Sequence, residues 1–427
     1  MKTPGARRPD PDVRMKGFRQ RAEVDEVLRM VLAAADPLPA EKVPVTRCSG
    51  RVLAEDVVAP VDVPSFRRSA MDGYALAGPE TFGASPDNPL SFRLVGQALP
   101  GSAFAGTLGP GEAIRIMTGA AVPAGASAVL PAESAREEGP AVLALGPVTP
   151  GKNIGARGED VRAGTTVLRT GRQLRPQDAG LLSSLGLSPV AVLRRPRVNL
   201  LITGDEILPP GSRPVDGAVI DSNSVVLAAL VCRDGGQPEP PLQIPDQPDR
   251  LEHALQEAAG DVVLISGGSS VGVEDHAPHV LARVGRLAVH GIAMRPSSPT
   301  GIGFLPPTAE GGCERLVFLL PGNPVSSLCA YDFFAGPAIR SLGGRKTGWP
   351  HGRVTATLAR KVISMVGRVD YLRVRLTEAG VEPLAVGGAS LLSSTVRADG
   401  FAIIGRDEEG RPAGAPVTVF LYDSHPA

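Results

Sequence analysis

The chain has 427 residues, with 44 basic and 44 acidic side chains and a formal net charge of zero. That balance argues against a dedicated nucleic-acid binder, which carries a basic excess, and 4% aromatic residues give little platform for stacking bases. The 43% hydrophobic share supports several packed cores, and the length suggests about three domains.

Residues 1–21 are basic but contain no apolar segment, so they read as a flexible arm rather than a signal peptide. Val24, Val27, Leu28 and Val31 recur at helical spacing, and Pro37 and Pro39 end that pattern. Strand-like pieces follow at 42–45 and 51–58. Residues 59–149 are short apolar stretches between Gly and Pro turns, the texture of a small β-rich domain. A helix bearing Leu181, Leu182 and Leu185 follows and is expected to return onto the first helix. From Arg197 onward, apolar runs such as VNLLIT, DVVLIS and LVFLL alternate with helical segments, which points to a parallel α/β sheet. After Gly344 the polar–apolar alternation of RVTATLAR, YLRVRLTE and PVTVFLYD reads as a C-terminal β domain. The expected domains are therefore 22–58 with 150–188, then 59–149, 189–344 and 345–427. The fold class is multidomain α/β, with a central β/α/β sandwich, a β-rich domain, a small mixed domain and a C-terminal barrel-like domain. The four cysteines are far apart and form no CxxC pair, which excludes a zinc ribbon and fits a reducing compartment. No apolar run approaches the ~18 residues of a membrane span.

Ligands of open α/β sheets bind beyond the carboxyl ends of the strands, and three informative loops fall there. In SGGSSVG, glycines let the backbone approach an anion while N–H and hydroxyl groups donate to it. That makes Ser266, Gly267, Gly268, Ser270 and Gly272 candidate phosphate ligands, with an ordinary glycine turn as the alternative. In LPGNPVSS, Pro321 and Pro324 fix the backbone around Gly322 and Asn323 and bring Asn323, Ser326 and Ser327 to a helix start. The alternative there is a rigid turn with a helix cap. Carboxylates recur at loop ends: Asp72, Asp160, Asp205, Glu206, Asp221, Asp246 and Asp275. Beside a phosphate cradle they imply a hard cation such as Mg²⁺, whereas any single one is ordinarily a cap or a surface charge. Repetition on one sheet favours Glu206 and Asp275. His276 and His279 lack a third ligand at zinc spacing, and no G-x-S-x-G elbow occurs.

Together PSFRRSAMDGYAL, IMTGAAVPAGASAVLPAE, NIGARGEDVRAGTTVL, ITGDEIL, ISGGSSVGVEDH and LLPGNPVSS resemble the molybdopterin molybdenumtransferases of the MoeA type, akin to the gephyrin E domain. The resemblance runs from about residue 22 to the end. It implies a cytoplasmic, Mg²⁺-dependent homodimer that inserts molybdate into adenylated molybdopterin and releases AMP. A molybdopterin adenylyltransferase and apo-molybdoenzymes are the protein partners it suggests. It also implies that Asp72, Thr118 and Asp160 serve the reaction, the first two from the other subunit. Glu206, Asp246 and Asp275 are then candidates around the phosphoanhydride, with Glu206 and Asp275 as metal ligands. Molybdate, a tetrahedral dianion, needs donors and cations, for which Arg295, Ser297 and Ser298 are candidates.

Departures from the resemblance are specific. Ser127 stands in GASAVL where an acid is usual, and Ser269 where Val is usual. Arg295 and Ser298 stand where the family pattern K-P-G-K-P carries lysines. The chain has only six lysines, so Arg295 fits its composition, but Ser298 loses a charge. This loss keeps open the alternative of a weakened paralogue acting as a molybdopterin- or nucleotide-binding scaffold.

Overall fold

The computed structural model describes residues 21–268, 276–308, 312–385 and 388–423. The chain forms two units, one of residues 42–49 and 53–191, the other of 1–41, 50–52 and 192–427.

In the smaller unit a six-stranded sheet runs in the order Ala128–Pro131, Gly73–Leu76, Glu112–Ile116, Leu90–Ala98, Ala141–Ala144, Ala135–Glu138. Side chains alternate faces along a strand, and here both faces are covered. Tyr74 and Leu76 join Phe92, Leu130 and Val142 in one core. Ala75 joins Ile114, Ile116 and Val129 in the other. Gly73–Leu76 is therefore buried throughout, and Gly73 pairs with Ile116. The helix Pro176–Ser184 starts on a proline, and Asp178 accepts the Arg175 N–H at 2.9 Å. Leu181 and Leu185 pack with Ala59 and Val161.

The first helix, Val24–Ala33, belongs to the other unit, where Val24, Val27 and Val31 enter its main core. That unit's main sheet has Arg197–Thr203, Val262–Ser266 and Arg315–Leu320 as adjacent parallel strands. Gly301–Leu305 and Arg286–His290 continue it antiparallel. The continuous apolar runs have a simple cause: both faces are buried. Val198, Leu200, Leu264 and Phe318 face the helices Asn223–Arg233 and Gly336–Leu342. Leu201, Val263, Ile265 and Val317 face Pro248–Glu257 and Ala277–Val284. Each such buried side chain contributes roughly 1.5–3 kcal/mol.

The helix expected after LPGNP is not uniform. It runs as α over Pro324–Ala330, widens to a π turn at Tyr331–Ala335, and resumes α at Gly336–Leu342. The π turn carries Asp332, which accepts from Arg233 at 2.7 Å. Arg233 and Arg340 also hold the buried Asp234, at 2.8 and 2.7 Å. Burial opposes the Asp234 carboxylate, and the two guanidinium groups outweigh it and hold its pKa below the ordinary value.

The C-terminal β region forms a sheet around Val369–Thr377, Gly400–Ile404, Pro416–Leu421 and Gly352–Thr357. One face has its own core of Leu372, Val374, Ala402 and Val419. The other presents Tyr371, Phe401 and Phe420 to the main core, where Trp349 packs edge-on to Phe333. The short strand Met294–Arg295 pairs in parallel with this sheet, setting Met294 against Val369 and Arg295 against Asp370.

Candidate active site

Strand register gathers the informative loops. Ile202 pairs with Ser266, and Ser266 with Leu320, so Thr203, Gly267 and Pro321 follow at one level. Gly267 has φ +101°, and a Cβ there would lie 2.5 Å from the Thr203 carbonyl oxygen, so only glycine lets the loop pass. Asn223 ties the loops together: its Nδ2 donates to Ser266 Oγ and to the Gly322 carbonyl, each at 2.8 Å. The Ser224 N–H donates to the buried Asp221 at 3.0 Å, so Asp221 serves the start of the helix Asn223–Arg233. Sequence reading placed Asp221 among the loop acids and passed over Asn223. The polar run DSNS at a helix start was its available signal.

These loops enclose a cavity of about 530 Å³, lined by Thr203, Glu206, Asp221, Asp246, Gly268 and Asn323 among others. The Asp246 N–H donates to the Asp205 carboxylate at 3.1 Å, and the Asp205 N–H to the Asp246 carboxylate at 3.3 Å. Burial pushes the Asp246 carboxyl up; the Asp205 amide opposes this, and the charges of Glu206 and Asp205 add to it. Ser270, Gly272 and Asp275 lie outside the described residues, so Glu206 is the described half of the expected metal pair. Among the described residues no three His, Cys, Asp or Glu side chains gather at metal-holding distance.

A second cavity, of about 430 Å³, lies across the same turn, and Gly322 and Asn323 line both. Its wall is cationic, with Arg21, Arg295 and Arg368. Register brings Arg295 beside Asp370, which is fully buried. The Arg295 guanidinium donates to Asp370, Ser364 donates to it at 2.8 Å, and Arg368 Nε lies 3.2 Å from its other oxygen. Pro321, Ser297, Ser298 and Ser326 line the cavity too. The Ser297 hydroxyl, however, donates to the Ser326 carbonyl. The Ser298 hydroxyl donates to the Ile292 carbonyl at 3.2 Å and accepts from Arg21 Nε at 2.9 Å. The two serines expected to donate to an anion therefore have their single protons engaged elsewhere. Asn323 starts the helix without a side-chain cap bond, and Pro324 occupies the first turn. Arg21 and Arg368 were not among the residues picked from sequence.

In the smaller unit, Gly73 opposite Ile116 places Asp72 and Thr118 just past paired strand ends. The Thr118 N–H and hydroxyl both donate to one Asp72 oxygen at 2.7 Å. These two bonds, the backbone one first, hold the exposed Asp72 carboxyl below the ordinary carboxylate range. Asp160 is exposed on a loop, and among the described residues no hydrogen bond joins it to Asp72 or Thr118.

Three family models match the chain in order. They are the MoeA N-terminal region (domain I and II) over 22–186, a "Probable molybdopterin binding domain" over 199–341, and the MoeA C-terminal region (domain IV) over 355–422. Molybdopterin molybdenumtransferase 2 of Mycobacterium tuberculosis is 36% identical over 365 residues, 83% of this chain and 87% of its own. The chain belongs to the MoeA family. The molybdopterin molybdenumtransferase of Haemophilus influenzae is 34% identical over 402 residues, 90% of this chain and 94% of its own. A crystal structure of the molybdopterin biosynthesis MoeA protein from Pyrococcus horikoshii superposes with a TM-score of 0.79 at 32% identity, covering 95% of this chain and all of that one.

The geometry explains the departure at Ser127. Ser127 Oγ accepts the Gly78 N–H at 2.9 Å, while its backbone bonds Leu76 and Gly151. It closes a turn, a role that needs no negative charge. Ser297 sits at φ +82°, a conformation that favours glycine, and its bond to Ser326 helps to hold it there.

Proposed function

We propose that the chain is a molybdopterin molybdenumtransferase, which inserts molybdenum from molybdate into adenylated molybdopterin and releases AMP. The observation that carries this reading is the pair of cavities of opposite charge sharing Gly322 and Asn323. A tetrahedral dianion fits the arginine-lined side. The phosphoanhydride fits the acid-lined side, where Gly267 and Gly268 bring backbone close and Asn223 fixes Ser266 and Gly322. The shared turn then holds the phosphate linkage beside the oxyanion, so binding energy from both halves goes into positioning.

The acid-lined cavity has no lining Arg or Lys among the described residues. Carboxylates facing a phosphoanhydride repel it, and Glu206, Asp221 and Asp246 all line this cavity. These residues fit a divalent cation: Glu206 and Asp246, with Asp275, would hold Mg²⁺. When bound, Mg²⁺ supplies charge neutralisation and polarises the phosphate oxygens. Asp72, kept ionised by Thr118, is proposed as a further carboxylate of the reaction, acting within a homodimer. A cytoplasmic setting suits the free thiols of Cys48, Cys232, Cys313 and Cys329. Among the described residues no helix is long and apolar enough to cross a membrane.

The test is AMP release from adenylated molybdopterin and Mg²⁺, with and without molybdate. Molybdate-dependent release together with a molybdenum-containing pterin supports the reading. Tight adenylate binding without turnover would replace it with the scaffold alternative.

A further inference from the structure

We propose that Arg21, oriented by Ser298, is the third cation of the oxyanion cavity and sets its preference for a doubly charged tetrahedral anion. The inference rests on the proposed reading that molybdate occupies the Arg295–Arg368 side.

Arg21 is anchored through its neighbour. The Ala22 N–H donates to the Gly291 carbonyl and the Ala293 N–H to the Ala22 carbonyl, both at 2.9 Å. This two-sided pairing fixes the backbone beside Arg21, which lines the cavity. Ser298 then orients the side chain. Its one proton goes to Ile292, and its lone pair takes Arg21 Nε–H at 2.9 Å. Among the described residues only Nε is used, and neither Nη of Arg21 makes a hydrogen bond. The Nη pair is the part of a guanidinium that grips two oxygens of one anion.

Arg295 and Arg368 share the single buried carboxylate of Asp370, so together they present one net positive charge. Among the described residues no acidic side chain lines the cavity. Among the described residues, a dianion is matched when Arg21 adds the second charge. Position 298, where the resemblance led one to expect lysine, holds the post that orients Arg21 instead. Arg21 thus supplies a positive charge at the cavity beside a serine that carries none.

The experiment compares molybdate with perrhenate, a tetrahedral oxyanion of similar size but single charge. Calorimetric titration of the full chain with each sodium salt gives both dissociation constants for wild type, Arg21→Gln, Arg368→Gln and the double variant Arg21→Gln/Ser298→Lys. Arg21→Gln should weaken molybdate binding about tenfold and leave perrhenate within about twofold. The double variant, with its cation returned to position 298, should recover most of the molybdate affinity. Equal loss of both anions in Arg21→Gln would mean a structural role and would overturn the inference. Unchanged molybdate binding in Arg21→Gln, with binding lost in Arg368→Gln, would also overturn it while leaving the proposed reading intact. No molybdate binding by wild type would remove the reading and this inference together.

Discussion

Asp370 is fully buried and faces the guanidinium groups of Arg295 and Arg368. Taking one partner out of such a group leaves uncompensated charge, which costs more than the group's net stabilisation. Asp370→Asn is expected to lower unfolding free energy by roughly 3 kcal/mol, measured by urea denaturation; an unchanged midpoint would show that solvent screens both arginines. Asp72 is the opposite case. It is exposed, and its two bonds from Thr118 keep the carboxylate ionised without adding core packing. Asp72→Asn should therefore leave the melting temperature within about 1 °C and reduce molybdate-dependent AMP release at least about tenfold. Retained turnover in that variant would exclude Asp72 from the reaction.

At the level of elements, two loop glycines separate structural from ligand constraints. A Cβ on Gly267 would meet the Thr203 carbonyl at 2.5 Å, with φ at +101°. Gly267→Ala is thus expected to destabilise the larger unit by about 2 kcal/mol or more, seen as a lower thermal midpoint. On Gly322 the nearest atom to a Cβ would be the Gly267 Cα, at an ordinary 3.6 Å. Gly322→Ala should fold as wild type, yet weaken adenylate binding, because its methyl group would stand on the turn shared by both cavities. Normal binding by this variant would show that ligand does not approach the turn closely. The π turn at Tyr331–Ala335 is another feature of this scale. No propensity marked it; it places Asp332 where Arg233 reaches it.

At the scale of the whole molecule, acid sensitivity in the smaller unit should centre on Asp178. It is buried, takes two bonds from Arg172 at 2.9 Å, and accepts the Arg175 amide. The Arg172 guanidinium above all holds its carboxyl far below the ordinary range, against burial. A depressed folded value means that this stabilisation is complete above the unfolded pKa of about 4 and is lost as pH falls towards the folded value. The stability gap between wild type and Asp178→Asn, from urea midpoints between pH 7 and 2, should be constant down to about pH 4 and then close. A gap independent of pH would assign it to packing.

Local periodicity in the sequence was enough for the apolar strands, the helices and the order of their alternation, because those signals act over a few residues. The short motifs TGDE, SGG and PGNP were legible for the same reason, and the sheet brings them to one edge. Which carboxylates and cations meet was decided only by tertiary structure. The parallel register of Arg295 with Asp370 joins residues 75 apart. The bond from Arg21 to Ser298 joins residues 277 apart. Asn223 reaches Ser266 and Gly322 only because three strand ends lie side by side. Charge pairing depends on distance in space, and no local pattern encodes that distance.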